Sequence, residues 1–281
     1  MPAHFENLFY HPAYIEIQAH SKLRIFEDGH FKILFSIQTG EATSLPRGLF
    51  GSFELKQKST QRQFSAFAND VIQKFNKEGV RKIVIFHPPD FYAGFVPADW
   101  LPAIGFSEKY AEINHHIELD NFQMHSMELR KLEKLKKGGL VIKKLTKDHL
   151  MEVYDFLTRC RKEKGLELNV SYEKLAKLFH AYPDRYSIFG AYLANQLISA
   201  VITVQIAHDI VYYYLPGTSE AFKKESPMVG LIQYLVDHFK TDMKYLDLGV
   251  SSIEGKRQEG LIDFKERMGG VREEKKYFGF N

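Results

Sequence analysis

The stretch Leu246-Asp247-Leu248-Gly249-Val250-Ser251-Ser252-Ile253-Glu254-Gly255-Lys256-Arg257-Gln258-Glu259-Gly260-Leu261-Ile262-Asp263-Phe264-Lys265-Glu266-Arg267-Met268-Gly269-Gly270 decides how this chain is read. It opens as a buried strand, Lys244 to Leu248, with one carboxylate, Asp247, inside an otherwise apolar run. A buried carboxylate needs a partner. The strand gives way at Gly249 to a polar loop reaching Gly260, long enough to act as a lid. A short helix, Leu261 to Met268, follows, and Gly269-Gly270 ends it before a last strand near Val271 to Phe280.

Working backwards, Pro227 at a first helical position, where its missing N–H costs nothing, starts a helix carrying Val229, Ile232, Leu235, Val236 and Phe239. Ser226 is its expected side-chain cap. Before it lie strands Tyr186 to Leu193, Gln196 to Ile206 and Ile210 to Leu215, the first two joined by Ala194-Asn195. Ser171 caps a helix with a Val170–Leu175 staple. A helix from Thr146 carries Val153, Leu157 and Cys160, and the strand Leu140 to Leu145 precedes it.

The first third reads as strands: Tyr14 to Gln18, Leu23 to Phe26 and Phe31 to Gln38, the last two joined by an Asp28-Gly29 hairpin. A Gly-rich link, Pro46 to Gly51, follows. A helix then carries Phe64, Phe67, Val71, Ile72 and Phe75 on one face. Arg81 to Phe86 is a continuous apolar strand of the kind buried on both sides. The order helix, strand, short helix, glycine, strand occurs in both halves, which suggests a diverged internal repeat. Between them Ser126 to Lys137 is a charged helix closed by Gly138-Gly139. The expected division is residues 1–125, a connector at 126–139, and 140–281.

Composition bounds the classes. With 281 residues, 44% hydrophobic and 26% charged, the chain is long enough for two globular domains. A net charge of +3 is too mild to indicate a nucleic-acid binder on its own. The single cysteine, Cys160, excludes an internal disulfide framework. The N-terminus lacks the pattern of a signal peptide and no apolar run approaches a membrane span, so the expectation is a cytoplasmic protein with no membrane partner.

The joint spacing of Asp247, Gly249, Phe264, Lys265 and Gly269 resembles the C-terminal signature of FemAB-like acyltransferases. Tyr212-Tyr213-Tyr214 with Gly217 beyond is similar to that family's central strand and its exit, and the basic helix before Gly138-Gly139 to its link between domains. The resemblance implies an α/β (α+β) chain of tandem GNAT-like acyl-CoA N-acyltransferase folds, each a mixed twisted sheet flanked by helices, the N-terminal one degenerate.

It also implies transfer of an acyl or aminoacyl group to a small-molecule or peptide-like amine. In that setting Lys265 faces the cleft and steadies an oxyanion or holds an anionic group. Asp247 is either a general base or an acceptor for the loop amides after it. Tyr214 supplies a proton to the leaving group, and Gly249, Ser251, Ser252 and Phe264 line the substrate cleft. No cofactor is held tightly. An acyl-CoA donor would bind at Ser226, Met228, Val229 and Gly230 with Lys223 and Lys224, although the Gly-rich basic loop usual there is reduced to one glycine, and Pro227 removes a donor. Charged tRNA is an alternative donor, with Arg130, Lys131, Lys134, Lys136, Lys137, Lys143 and Lys144 as its basic surface. A non-catalytic module is the other alternative. No metal is expected, because the adjacent His115 and His116 point to opposite faces of a strand.

Overall fold

The computed structural model describes residues 7–18, 22–44 and 49–281. In chain order its main elements are α1 (Pro12–Gln18), β1 (Lys22–Glu27), β2 (Phe31–Gln38), β3 (Glu41–Ser44), β4 (Glu54–Leu55), α2 (Gln61–Lys77), β5 (Lys82–His87) and β6 (Ser107–Glu118). There follow α3 (Ser126–Lys137), β7 (Val141–Leu145), α4 (Leu150–Lys162), α5 (Tyr172–Ala181), β8 (Tyr186–Leu193), β9 (Gln196–Gln205), β10 (Ile210–Thr218) and α6 (Pro227–Phe239). The chain closes with β11 (Tyr245–Val250), β12 (Ser252–Ile253), β13 (Lys256–Arg257), α7 (Glu259–Arg267) and β14 (Val271–Phe280).

Two compact units result. One comprises residues 1–114, 250–258 and 273–281; the other comprises 115–249 and 259–272. The division therefore falls inside β6 and not in the helix at 126–137, and two late segments join the first unit. The sequence offers no sign of this, because strand exchange is a matter of pairing between distant segments.

In the first unit the strands run β1-β2-β3-β5-β14-β6, with β4 beside β2. β3 and β5 are parallel, and β14 lies antiparallel on β5, with Lys276 opposite His87 and Phe280 opposite Ile83. The core is aromatic. Phe64 and Phe75 of α2 meet Phe31 and Phe53, and Phe26 and Phe35, with ring centroids 5.0–5.7 Å apart. Phe278 of β14 joins the same cluster. α2 begins with a capping box of Thr60 and Gln63, which satisfies backbone N–H groups at the helix start. Asp28 turns the β1–β2 hairpin by accepting the N–H groups of His30 and Phe31 at 2.7 Å. Tyr14 to Gln18 is helical, not a strand: Pro12 presets the first turn and overrides the alternation of Tyr-Ile-Glu-Ile. Half of the Pro46–Gly51 link lies outside the described residues.

In the second unit the strands run β11-β10-β9-β8-β7, with the end of β6 beside β11. β10 is parallel to β11, and the β9–β10, β8–β9 and β7–β8 pairs are antiparallel. α6 packs its apolar face on β8 and β9, so Val229, Leu231, Ile232 and Leu235 are essentially inaccessible. α3 lies against α6 and belongs to this unit, not to a free connector. Ala194 and Asn195, both left-handed, make the β8–β9 turn.

One buried ion cluster ties α3 to the end of α7. Glu128, fully buried, accepts from Lys131 Nζ at 2.9 and 3.0 Å and from Arg267 Nε at 2.9 Å. Nearby, the N–H of His125 donates to the carbonyl of Arg267 at 2.8 Å. Burial alone would raise the Glu128 carboxyl, but the two cationic donors outweigh it and hold the group below its ordinary value. A carboxyl depressed on folding contributes stability above its unfolded pKa and loses it as pH falls through the folded one. Glu128→Gln should lower stability at neutral pH by about 2 kcal/mol, the scale of a lost charge-assisted hydrogen bond. In denaturant titrations the gap from the parent should narrow as pH drops below the ordinary carboxylate range. A gap that stays constant with pH would show that the carboxylate charge contributes nothing.

Candidate active site

β10 and β11 begin as a parallel pair and then part. Their register covers Ile210↔Tyr245, Val211↔Leu246 and Tyr212↔Asp247 and goes no further. β10 continues to Thr218 along β9, with a bulge between Tyr213 and Leu215. A cavity of about 270 Å³ opens past that point. β10 contributes Tyr213, Pro216, Gly217 and Thr218 to its wall, β11 contributes Leu248, and α6 contributes Met228 and Ile232. Leu261, Phe264 and Lys265 come from α7, and Cys160, Arg161 and Lys164 from the end of α4 and the turn beyond. α4 comes this close because Gly217 leaves it room: a Cβ there would sit 2.6 Å from Leu157 Cδ2.

Lys265 is the chemically distinctive residue. It is 5% exposed, and its Nζ donates to the carbonyl of Gly249 at 2.8 Å. Burial pushes its ammonium down to about 7, against the opposing pull of Asp247. Asp247 is 3% exposed and accepts the N–H of Gly249 at 2.8 Å. Of its two predicted roles, acceptor for the loop amides is the one this bond fits. Gly249 thus bridges the two charges, binding Asp247 through its N–H and Lys265 through its C=O. Only glycine suits the position, because φ is +74° and a Cβ would sit 3.0 Å from Tyr212 Oη. Gly270 closes α7 by donating to the carbonyl of Lys265 at 2.9 Å; a Cβ on it would meet that oxygen at 2.7 Å.

Two histidines of β6 flank this pair. His115 Nε2 lies 3.8 Å from Glu266 Oε1, and burial, assisted by the charge of Lys265, pushes the imidazole down to about 4. His116 is lowered by burial, with Asp247 acting in the opposite sense, and its ring meets Tyr245 edge to face at 5.3 Å. Among the described residues no group of His, Cys, Asp and Glu is arranged to hold a metal ion.

The structure redistributes the predicted residues. Phe264 and Lys265 line the cavity together. Tyr214 does not; it sits at the bulge with its phenol pushed up to about 12 by burial. The tyrosine on the cavity wall is Tyr213, whose hydroxyl donates to Met228 Sδ. Alternation alone pairs Tyr212 with Tyr214 but does not fix which face meets the cavity. Of the expected phosphate cradle, only Met228 lines the cavity. Val229 and Gly230 are buried, the Val229 N–H is taken by the Ser226 carbonyl at 3.0 Å, and Lys223 pairs with Glu220 at 2.9 Å. Ser226 does not cap α6 with its side chain; it adopts a left-handed backbone, φ +57°.

Ser251 and Ser252 are not among the residues that line the cavity. Both are buried in the first unit, where the loop expected at 249–260 contains the hairpin β12–β13. Ser252 Oγ accepts from the N–H of Ile113 at 2.7 Å and donates to Glu112, and the N–H of Ser251 donates to the carbonyl of Ile113 at 2.6 Å. They hold a hairpin in place. Arg161 and Lys164 had no local sequence signal, since packing of α4 on β10 brings them to the wall. Among the described residues no helix is long and apolar enough to cross a membrane.

Known proteins agree with this architecture. Residues 123–265 match the family model described as an acetyltransferase (GNAT) domain. No curated protein matches the chain. Among solved structures, FemX superposes with a TM-score of 0.68 at 12% identity, covering 98% of this chain and 93% of that one. L-PGS from Bacillus licheniformis gives 0.68 at 12%, covering 95% and 85%. A tandem GNAT protein from the clavulanic acid biosynthesis pathway gives 0.54 at 10%, covering 92% and 82%. At these identities the structures share the fold, a mixed α/β architecture of the GNAT and FemAB-like kind. The matched segment spans half the sequence and carries the parting strands, the cavity and Lys265, and on that ground the chain belongs to the acetyltransferase (GNAT) domain family.

Proposed function

We propose that this protein is an N-acyltransferase that holds the acyl group of its donor in the cavity beside Lys265 and passes it to an amine. The observation that carries this reading is a buried ammonium on the wall of a largely apolar cavity, at the point where two parallel strands separate. The amine nitrogen attacks the donor carbonyl carbon, forming the C–N bond and moving the π electrons onto oxygen. Protonated Lys265 steadies that oxyanion in a site where water does not screen it. Collapse breaks the bond to the leaving group, and the amine proton passes to that group or to solvent. Tyr213 is the tyrosine placed to supply a proton on the cavity wall, because its present acceptor, a thioether sulfur, is weak. Asp247 offsets the charge of Lys265 and fixes Gly249 beneath it.

The donor proposed is an acyl-CoA. Met228 at the first turn of α6 reaches the cavity wall, and Lys223 and Lys224 precede the helix, which favours an anion there. Thermal unfolding with CoA, acetyl-CoA and a longer acyl-CoA tests it. Ligand at a hundred times its Kd should add roughly 2.7 kcal/mol of stability. An unfolding temperature indifferent to all three would remove the CoA-dependent reading.

Lys265 supplies a second test. Lys265→Met should abolish transfer while retaining the folded state by circular dichroism. If the ammonium is the working form, kcat/KM in the parent should fall as pH rises through about 7. Asp247→Asn removes the charge that opposes the depression, so the descending limb should move to lower pH. A rate that climbs through pH 7, or an active Lys265→Met protein, would rule out this role.

A further inference from the structure

The charges on the cavity wall all have one sign. Arg161, Lys164 and Lys265 are its ionisable cations, and among the described residues no carboxylate lines it. Two carboxylates adjacent in sequence to lining residues each accept a backbone N–H: Glu163 that of Glu220 at 3.0 Å, and Asp247 that of Gly249. Most of the remaining wall is apolar, with Met228, Ile232, Leu248 and Phe264. An ammonium entering this space would give up water, meet like charge, and find no anionic acceptor. An uncharged aliphatic group would exchange water for apolar wall, which is favourable.

We infer that the cavity is a charge filter, admitting uncharged apolar acyl groups and rejecting acyl groups that carry an ammonium, aminoacyl groups included. The inference rests on the acyl-transfer reading and deepens it by naming the class of group transferred. It assigns Arg161 and Lys164 a part in specificity. They contribute the repulsion nearest the solvent side, since Arg161 is half-buried and Lys164 exposed.

Butyramide and β-alaninamide test it without relying on any donor, because they differ chiefly in a terminal methyl against a terminal ammonium. The full chain is labelled with 13C-methyl methionine and the Met228 signal assigned by its loss in Met228→Leu. At pH 6 butyramide should shift the Met228 methyl, and β-alaninamide should need about tenfold more ligand for the same effect, the scale of like-charge repulsion at a partly exposed site. Reversing the wall charge with Arg161→Glu and Lys164→Glu together should narrow that gap, and retention of the other methionine signals shows that the variant is folded. Equal response to both amides, no response to either, or a gap unchanged by charge reversal would overturn the filter. Selective response to butyramide with no turnover of any acyl thioester would leave the filter standing and count against the acyltransferase reading.

Discussion

The short parallel pairing of β10 with β11 is the constraint on which the rest of the second unit depends. Pairing strands satisfy each other's backbone groups, so a sheet that stays paired leaves no room for a ligand. Here the register ends at Tyr212↔Asp247. From there β10 follows β9 through a bulge, a common device for re-aiming a strand near a functional site. Leu248 and Tyr213 then face a space, and α6, α7 and α4 supply its walls. The sheet edge, the helix start and the cavity are three views of one separation.

Lys265 belongs to this arrangement because a buried ammonium is tolerated only where acceptors are fixed in advance. Gly249 supplies one through its carbonyl, and its N–H is in turn held by Asp247. The glycine, the carboxylate and the lysine are therefore one unit spread over β11 and α7. The cost of keeping a charge away from water is visible in the lowered lysine, which titrates near neutrality and not above pH 10. A group so placed changes its charge within the ordinary working range of an enzyme, which a surface lysine cannot do.

Much of this was legible in the sequence because it is local. The stripes of α2, α5 and α6, the Asp28 turn and Pro227 each rest on neighbours within a few residues, and the Asp247–Gly270 spacing lies in one continuous stretch. The misses mix local overrides with positions where a distant partner decides. Tyr-Ile-Glu-Ile alternates like a strand but is held in a short helix. Ser226 looks like a cap but bends left-handed at the start of α6. The bulge breaks the count that should tell Tyr213 from Tyr214. Ser251 and Ser252 look like exposed loop hydroxyls until Glu112 and Ile113, far back in the chain, claim them.

The pairing of β14 with β5 has a consequence for biosynthesis. Phe278 completes the phenylalanine core of the first unit, yet it lies at the far end of the chain from the strands it joins. A nascent chain emerging from the ribosome can form α2 and the β1–β2 hairpin early, but β5 keeps an unpaired edge until β14 has been made. An open edge beside apolar surface is a template for wrong pairing. The first unit therefore waits, half-built, through the synthesis of the second, and its closure reports that β14 has emerged.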